Sequence, residues 1–366
     1  MKVNVTIYGV AAGSYRTQNL LKALLDTKDV NVFFLNVREL WGKKTLFVKI
    51  QQMLVEAIVV AKSDIIIIPA VEHIYSYRYR LAKFFKKRIV TDFYISYYDS
   101  YVNDGNRLPA DSPEAKKYYN LDREAILKSD CTIFLNQAEA DYYTNVLNVK
   151  LSEIKYQLIP LCVDSRGRGK NLYASGRSNV FKICWWGTYI PLHGIEKIID
   201  AVKILSAKNV DFEVYLFGNS EEKSVGYREK IKQSGLDHLI RVENDKSFNN
   251  GALEPFLINN CDLALGSFGD SSKAKTVFIN KIADAFALGV PMLTMTTTAI
   301  EQLLSTDSDI IICNNTPNDI ADTIFNVMSD KERLLRVGNN GFQKYESIFS
   351  YNSFKEKIAS LILDKL

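Results

Sequence analysis

The chain has 366 residues, 47% of them apolar and 24% charged, with 18 glycines and 8 prolines; these proportions exclude disordered and fibrous classes and leave a soluble globular protein. Its 46 lysines and arginines against 42 carboxylates give a net charge of +4, too small a balance to argue for a nucleic-acid partner. A single core rarely grows far beyond about 250 residues, so two domains are expected.

"MKVNVTIYGVAAG" opens with alternating apolar residues and meets Gly9, which reads as a first strand rather than the unbroken apolar core of a signal peptide. The helical pattern "RTQNLLKALLDT" follows, then the strand "VNVFFLNV", the helix "FVKIQQMLVEAIVVAKS" and the buried strand "DIIIIPA". Glu56, Lys62 and Asp64 interrupt the most apolar stretch, which falls short of the roughly 20 apolar residues that span a bilayer, so no membrane crossing is expected. The helix "YRYRLAKFFKKR", the strand "RIVTDFY", the helix "AKKYYNLDREAILKS" and the strand "CTIFLN" continue the alternation. Such alternation predicts a parallel sheet covered by helices on both faces.

The polar, glycine-bearing stretch "SRGRGKNLYASGRSN" places a linker at residues 165–178, between a domain at 1–164 and one at 179–344. The second part repeats the scheme with the strand "VFKICWWG", the helix "IEKIIDAVKILSA", the strand "DFEVYLFG", the helix "GYREKIKQSG", the strand "LIRVEN" and the helix "LEPFLINN". The strand "CDLALGS", the helix "VFINKIADAFALG" and the strand "VPMLTMT" complete it, and "YESIFSYNSFKEKIASLILDKL", from about residue 345 to 366, reads as a last helix. The expected fold is α/β, two Rossmann-like doubly wound domains. Cys131, Cys162, Cys184, Cys261 and Cys313 form a scattered set with no CxxC pair, which fits buried thiols in a reducing cytoplasm and offers no zinc site.

Open parallel sheets bind ligands outside the carboxyl ends of their strands, so the expected site is a cleft between two facing domains. In "WWGTYIPLHG", Gly187 supplies a turn, Thr188 a hydrogen-bond donor and Pro191 stiffness, and His193 with Gly194 stands ahead of a helix whose free N–H groups suit a diphosphate. A neighbouring dianion would raise the His193 pKa above its usual ~6.5; a plain helix cap is the competing reading. In "DLALGSFGDSSKAKTVFINKIADAFALGVPMLT", Lys273, Lys275 and Lys281 follow a glycine-bearing loop, and Asp284 lies one helical turn beyond Lys281, pairing a phosphate neutraliser with a hydroxyl acceptor. Gly218, ending "DFEVYLFG", and Asn280, in the helix "VFINKIADAFALG", are expected to border the same ligand.

Taken together these two stretches resemble the bacterial GT-B glycosyltransferases of family 4, the "group 1" glycosyltransferases, in which a "GTFIPLHG" loop and a "LGIFG…KA…VIPNKVYEALAMGKPVIT" segment hold a nucleotide diphospho-sugar. "RIVTDFYISYYDSYVNDGNRL" is similar to the family segment "DxxxSLYDTxVxDRK", so nearly the whole chain is covered. The resemblance implies a C-terminal donor domain, an N-terminal acceptor domain, and a C-terminal helix crossing back onto the N-terminal domain. It also implies no metal and no cofactor beyond the donor substrate, for which UDP is the favoured nucleotide. Asp284 stands where the family has a ribose-binding glutamate. Thr276 stands where a sugar-contacting glutamate is usual, so the sugar would be held through backbone N–H groups from Phe268 through Gly269 to Asp270. His193 replaces a basic residue, leaving Lys275 and Lys281 as the standing charges, and Gly105 replaces an arginine whose role could pass to Arg107.

Catalytic roles are thereby expected for Asp99, toward an acceptor hydroxyl, and for His193 and Lys281, toward the leaving diphosphate. Asp92 is a second candidate on the acceptor side. Gly13 and Arg16, in "YGVAAGSYR", are expected near the donor phosphates in the closed form, against the alternative of a tight turn with a helix-face arginine. Residues 75–88, "YSYRYRLAKFFKKR", mix aromatic and basic side chains as an interfacial helix does, although tyrosines packed beneath a solvated face would read the same. His73 and His238 read as structural. The function implied is transfer of a sugar, with retention of configuration, to a glycan or lipid-linked acceptor in surface-polysaccharide assembly. The enzyme would be cytoplasmic, with contact at the inner face of the membrane. A nucleotide-sugar epimerase of the same fold and a non-catalytic nucleotide-sugar-binding partner of another transferase are the rival readings.

Overall fold

The computed structural model describes residues 2–9, 14–35, 45–104, 107–164 and 180–364; Gly13, Gly105 and the linker at 165–178 lie outside the described residues. The chain divides into two compact units, Met1–Cys162 with Tyr351–Leu366, and Val163–Ser350.

The first unit runs β1 (Val3–Tyr8), α1 (Tyr15–Leu25), β2 (Val30–Leu35), α2 (Leu46–Lys62), β3 (Ile65–Ile68), α3 (Ser76–Phe84), β4 (Arg88–Asp92), α4 (Pro113–Lys128), β5 (Cys131–Phe134), α5 (Gln137–Val146) and β6 (Tyr156–Leu158). The second runs β7 (Phe181–Trp186), α6 (Ile195–Ser206), β8 (Phe212–Phe217), α7 (Glu221–Gln233), β9 (Ile240–Glu243), α8 (Leu253–Asn260) and β10 (Leu263–Leu265). It continues through α9 (Asn280–Leu288), β11 (Met292–Met295), α10 (Thr298–Leu303), β12 (Ile311–Cys313), α11 (Pro317–Met328) and α12 (Lys331–Lys344). The chain then returns to the first unit as α13 (Tyr351–Leu363), whose Phe354, Ile358 and Leu361 join the core beside Leu20 and Leu24 of α1.

Both sheets are six-stranded with parallel pairing throughout, in the orders β2-β1-β3-β4-β5-β6 and β12-β11-β10-β7-β8-β9. The second order is that of the doubly wound dinucleotide-binding sheet, 3-2-1-4-5-6 when its strands are numbered within the unit. The order in which successive strands are added reverses between β7 and β10. Strands buried on both faces need continuous apolar sequence, and Ile65–Ile68 and Leu263–Leu265 are fully buried runs of that kind. On α6, Ile195, Ile198, Ile199, Val202 and Leu205 recur at helical spacing and are all buried, each contributing about 1.5–3 kcal/mol.

Three boundaries differ from the sequence pattern. α7 starts at Glu221 rather than Gly226, because the Ser220 hydroxyl accepts from the Lys223 N–H and Glu221 and Glu222 suit the first turn. α9 starts at Asn280 rather than Val277, since Ile279 is still extended. The single C-terminal helix is broken at Ser350, which is extended where the chain leaves one unit for the other.

Candidate functional site

The reversal point of the second sheet is where the two glycine-bearing loops emerge. After β7 the chain turns at Gly187, with φ +146°, forms one 3-10 turn over Pro191–His193, and enters α6 through Gly194 in the left-handed conformation, φ +61°. After β10 it passes Gly266, Phe268 and Gly269. The two loops are stitched together: the Phe268 N–H donates to the His193 carbonyl at 3.1 Å, and the Gly269 N–H to the Leu192 carbonyl at 3.1 Å. A Cβ on Gly194 would lie 2.7 Å from the Phe268 carbonyl carbon, and one on Gly269 would lie 2.5 Å from the Leu192 oxygen. Glycine is required at both positions by the closeness of the backbones. The stitch engages the N–H groups of Phe268 and Gly269, two of the three residues expected to hold the sugar.

Three further contacts hold the second loop. Asn315 donates to the Gly269 carbonyl at 3.0 Å and to the Asp270 carboxylate at 2.9 Å, and Lys197 of α6 pairs with Asp270 at 2.6 Å. Lys197 holds the Asp270 carboxyl below its usual value. Lys275 is exposed on the same loop, and Thr276 donates its hydroxyl to the Ser272 carbonyl, closing a local turn.

At the centre lie His193, Lys281 and Trp185. α9 is buried from Lys281 to Leu288, so Lys281 and Asp284, one turn apart, are carried into the protein rather than displayed on a solvated face. The Lys281 ammonium sits 4.3 Å from the Trp185 ring centroid, and the His193 ring meets the same indole edge-to-face at 5.6 Å. A Cβ on Gly187 would lie 3.3 Å from Lys281 Nζ. Lys281 Nζ, His193 Nδ1 and Trp185 Nε1 are buried with no hydrogen-bond partner among the described residues. Burial pushes the Lys281 pKa well below the usual lysine value, partly offset by the Asp284 charge. Burial, then the charge of Lys281, lowers His193 to about 2. Since Lys281 is itself held low, burial is what keeps His193 neutral in the absence of an anion.

Of the other expected residues, Thr188 and Asn280 are exposed at the edges of these loops, and Asp284 is buried with Lys281. Gly218 is placed beneath Tyr189: a Cβ there would lie 2.1 Å from the tyrosine ring. That ring stacks on Trp185 at 5.8 Å and donates its hydroxyl to Asn244 at 2.8 Å, so Gly218 serves the site through Tyr189. Trp185 and Tyr189 are the residues sequence reading passed over, although both stand inside the "WWGTYIPLHG" motif.

In the first unit, Gly9 follows β1 against the β3 loop, where a Cβ would lie 2.7 Å from Glu72 Cγ. Arg16 is buried as an anchor within the first unit. Its Nε pairs with Asp92 at 2.7 Å and its terminal nitrogens donate to the Pro160 and Ile159 carbonyls, both at 3.1 Å. Asp99 is fully buried at the start of the turn it begins and accepts from Tyr142 at 2.6 Å and Asn103 at 3.3 Å. His73 pairs with Asp122 at 2.7 Å, and Asp122 also accepts from Ser96 and the Tyr98 N–H. Within residues 75–88, Arg78 is withdrawn into a buried pair with Glu72 at 2.7 Å, which leaves Arg80, Lys83 and Lys86 exposed. Among the described residues no helix is long and apolar enough to cross a membrane, and no group of three or more His, Cys, Asp or Glu is placed to hold a metal ion.

No protein-family model matches the chain, and no curated protein matches it. Solved structures do. Anabaena HepE in complex with UDP and glucose is similar over 100% of both chains, at TM-score 0.73 and 11% identity. A glycosyltransferase from Rickettsia africae ESF-5 matches over 100% of both, at TM-score 0.69 and 15% identity. Sucrose-phosphate synthase from Thermosynechococcus elongatus matches over 99% of this chain and 98% of its own, at TM-score 0.70 and 12% identity. At such identities the likeness establishes the fold, which is the two-domain Rossmann-like α/β fold of GT-B glycosyltransferases.

Proposed function

We propose that the chain is a retaining, metal-independent glycosyltransferase of family 4 that moves a hexosyl or N-acetylhexosaminyl group from a nucleotide diphosphate sugar, with UDP as the favoured nucleotide. The acceptor is a glycan or lipid-linked sugar in bacterial surface-polysaccharide assembly. The enzyme works in the cytoplasm at the inner face of the membrane, meeting it within residues 75–88 through Arg80, Lys83 and Lys86. The observation that carries this reading is the group of buried, partnerless nitrogens on His193, Lys281 and Trp185 at the reversal point of the second sheet. Buried donors without partners are costly, and an anionic ligand that accepts from them removes the cost.

In this reading the diphosphate lies between the Gly187 turn and the start of α9, and Asp284 accepts from the ribose hydroxyls. Lys281 takes up a proton as the anion arrives, His193 donates a hydrogen bond, and Lys275 adds charge from the loop. The anomeric carbon's bond to the diphosphate breaks with its electron pair left on the phosphate oxygen. The acceptor oxygen bonds to that carbon from the same face and passes its proton to the same phosphate oxygen. Stabilising the leaving diphosphate is the work of the protein, and no side-chain nucleophile is needed.

The test is a thermal-shift and calorimetric screen of UDP, GDP, dTDP, CMP and ADP and their common sugars. A ligand at 100 times its dissociation constant stabilises the native state by about 2.7 kcal/mol. A shift confined to one nucleotide and lost in Asp284→Ala supports the reading, and the absence of any shift refutes it. The HepE structures hold UDP, UDP-glucose or UDP with glucose, which makes UDP and UDP-glucose the first ligands to try.

A further inference from the structure

α2 is turned inside out. Its inward face carries Gln52 and Glu56, both buried, with Glu56 accepting from the Tyr8 hydroxyl. Its outward face carries Phe47, Ile50, Met53, Leu54, Val55 and Ile58, each between 46% and 75% exposed. Phe47, Ile50, Leu54 and Ile58 follow one another at spacings of three and four, so they form one continuous stripe along the helix. A 17-residue helix is about 25 Å long, and the stripe runs over most of it. α3 lies beside it: Val59 and Val60 share a core cluster with Tyr77, Leu81 and Phe85. α3 adds an exposed aromatic, Phe84 at 76%, and the exposed cations Arg80 and Lys83.

A water-facing apolar stripe of this length needs something to cover it. The charge around it chooses the cover. Across residues 45–62 and 74–88 the sole carboxylate is Glu56, which faces inward, whereas Lys49, Lys62, Arg80, Lys83, Lys86 and Lys87 all belong to the same two segments. A second copy of the chain would bring two cationic rims together, which like-charge repulsion opposes. A bilayer with anionic headgroups offers an apolar interior to the stripe and negative charge to the rim.

We propose that α2 lies in the headgroup layer of an anionic membrane, with Phe47, Ile50, Leu54 and Ile58 inserted, and that α3 supplies the cationic rim. This surface rests on and deepens the membrane contact of the proposed function, and it is tested without any turnover, independently of the donor site.

The experiment is co-sedimentation of the intact chain with vesicles of phosphatidylcholine alone and with 30% phosphatidylglycerol. Binding is expected to the anionic vesicles and to weaken with added salt. The double substitution Ile50→Glu with Leu54→Glu should lower the partition coefficient at least about tenfold, and Lys83→Glu with Lys86→Glu should do the same at low salt. All four positions are exposed, and unchanged melting temperatures certify that the variants are folded. Loss of binding in both variants supports the proposal. Absence of vesicle binding by the wild type, equal binding to both vesicle types, or binding untouched by the α2 substitutions overturns it. A concentration-dependent dimer that dissociates on Ile50→Glu with Leu54→Glu would assign the face to a second copy and would also overturn it.

Discussion

Lys281 Nζ rests 4.3 Å from the centre of the Trp185 ring, buried and with no hydrogen-bond partner among the described residues, and this makes Lys281 a residue that costs the free protein stability. Each unit by which burial lowers a lysine pKa corresponds to about 1.4 kcal/mol. Lys281→Met keeps the stem packed on the indole and deletes the desolvated amino group. The variant should therefore melt higher than wild type at pH 7. It should bind nucleotide diphosphate about tenfold to a hundredfold more weakly, since a charge-assisted hydrogen bond is worth about 1.5–3 kcal/mol. Melting curves and calorimetry on the same preparation check both, and a destabilised variant with unaltered affinity would contradict the assignment.

His193 predicts an acid-sensitive fold. Its pKa is held near 2 in the native state, mainly by burial, against about 6.5 in the unfolded chain. Below pH 6.5 the unfolded state binds a proton that the native state refuses, so stability falls as pH drops, by at most about 1.4 kcal/mol per pH unit. Urea titrations at pH 6.5, 5.5 and 4.5 should give a shallower decline for His193→Gln than for wild type. Parallel declines would mean that His193 is accessible to protons in the folded state.

An anion arriving at this pair opposes both shifts. Negative charge raises the pKa of Lys281 and His193, so nucleotide diphosphate should bind with net proton uptake and more tightly as pH falls below the usual lysine range. Calorimetry in two buffers of different ionisation enthalpy measures the protons directly. A null exchange would place the diphosphate away from Lys281.

The doubly wound plan, most strands and the two glycine loops were legible in the sequence because a parallel sheet writes itself as apolar runs between amphipathic helices. Gly187, His193, Gly194, Lys281 and Asp284 were singled out by loop chemistry, and the structure brings His193 and Lys281 together around Trp185. Packing was the part that stayed hidden. Nothing in "YGVAAGSYR" tells that Arg16 reaches carbonyls at 159 and 160, a long-range contact without a local signature. The inversion of α2 was equally out of reach, since its periodicity reports an apolar face without saying which face the sheet covers.

The stitch between the two loops gives a contrasting pair of glycine substitutions. In Gly269→Ala the new methyl meets the Leu192 oxygen at 2.5 Å and the Pro191 oxygen at 2.9 Å, both backbone atoms that cannot move without opening the site. The cost should be about 1–3 kcal/mol, with donor affinity lost in parallel. Gly226, inside α7, faces open space, and Gly226→Ala should stabilise by about 0.5–1 kcal/mol with donor affinity unchanged.

Arg16 separates a structural cation from a donor-binding one. Its side chain bridges Asp92 on β4 and the carbonyls that follow β6, and its guanidinium lies 5.6 Å from the Phe354 ring on α13. Arg16→Met leaves Asp92 buried without its counter-charge, a change that typically costs about 3–5 kcal/mol. Asp92→Asn, which keeps the shape and removes the charge, should recover part of that loss when combined with it. Because every atom in this network belongs to the first unit, nucleotide affinity should stay at the wild-type value in whatever fraction remains folded. Chemical denaturation followed by calorimetry below the transition distinguishes the cases: a large drop in midpoint with unchanged affinity identifies an anchor, and lost affinity with unchanged midpoint would return Arg16 to the donor phosphates.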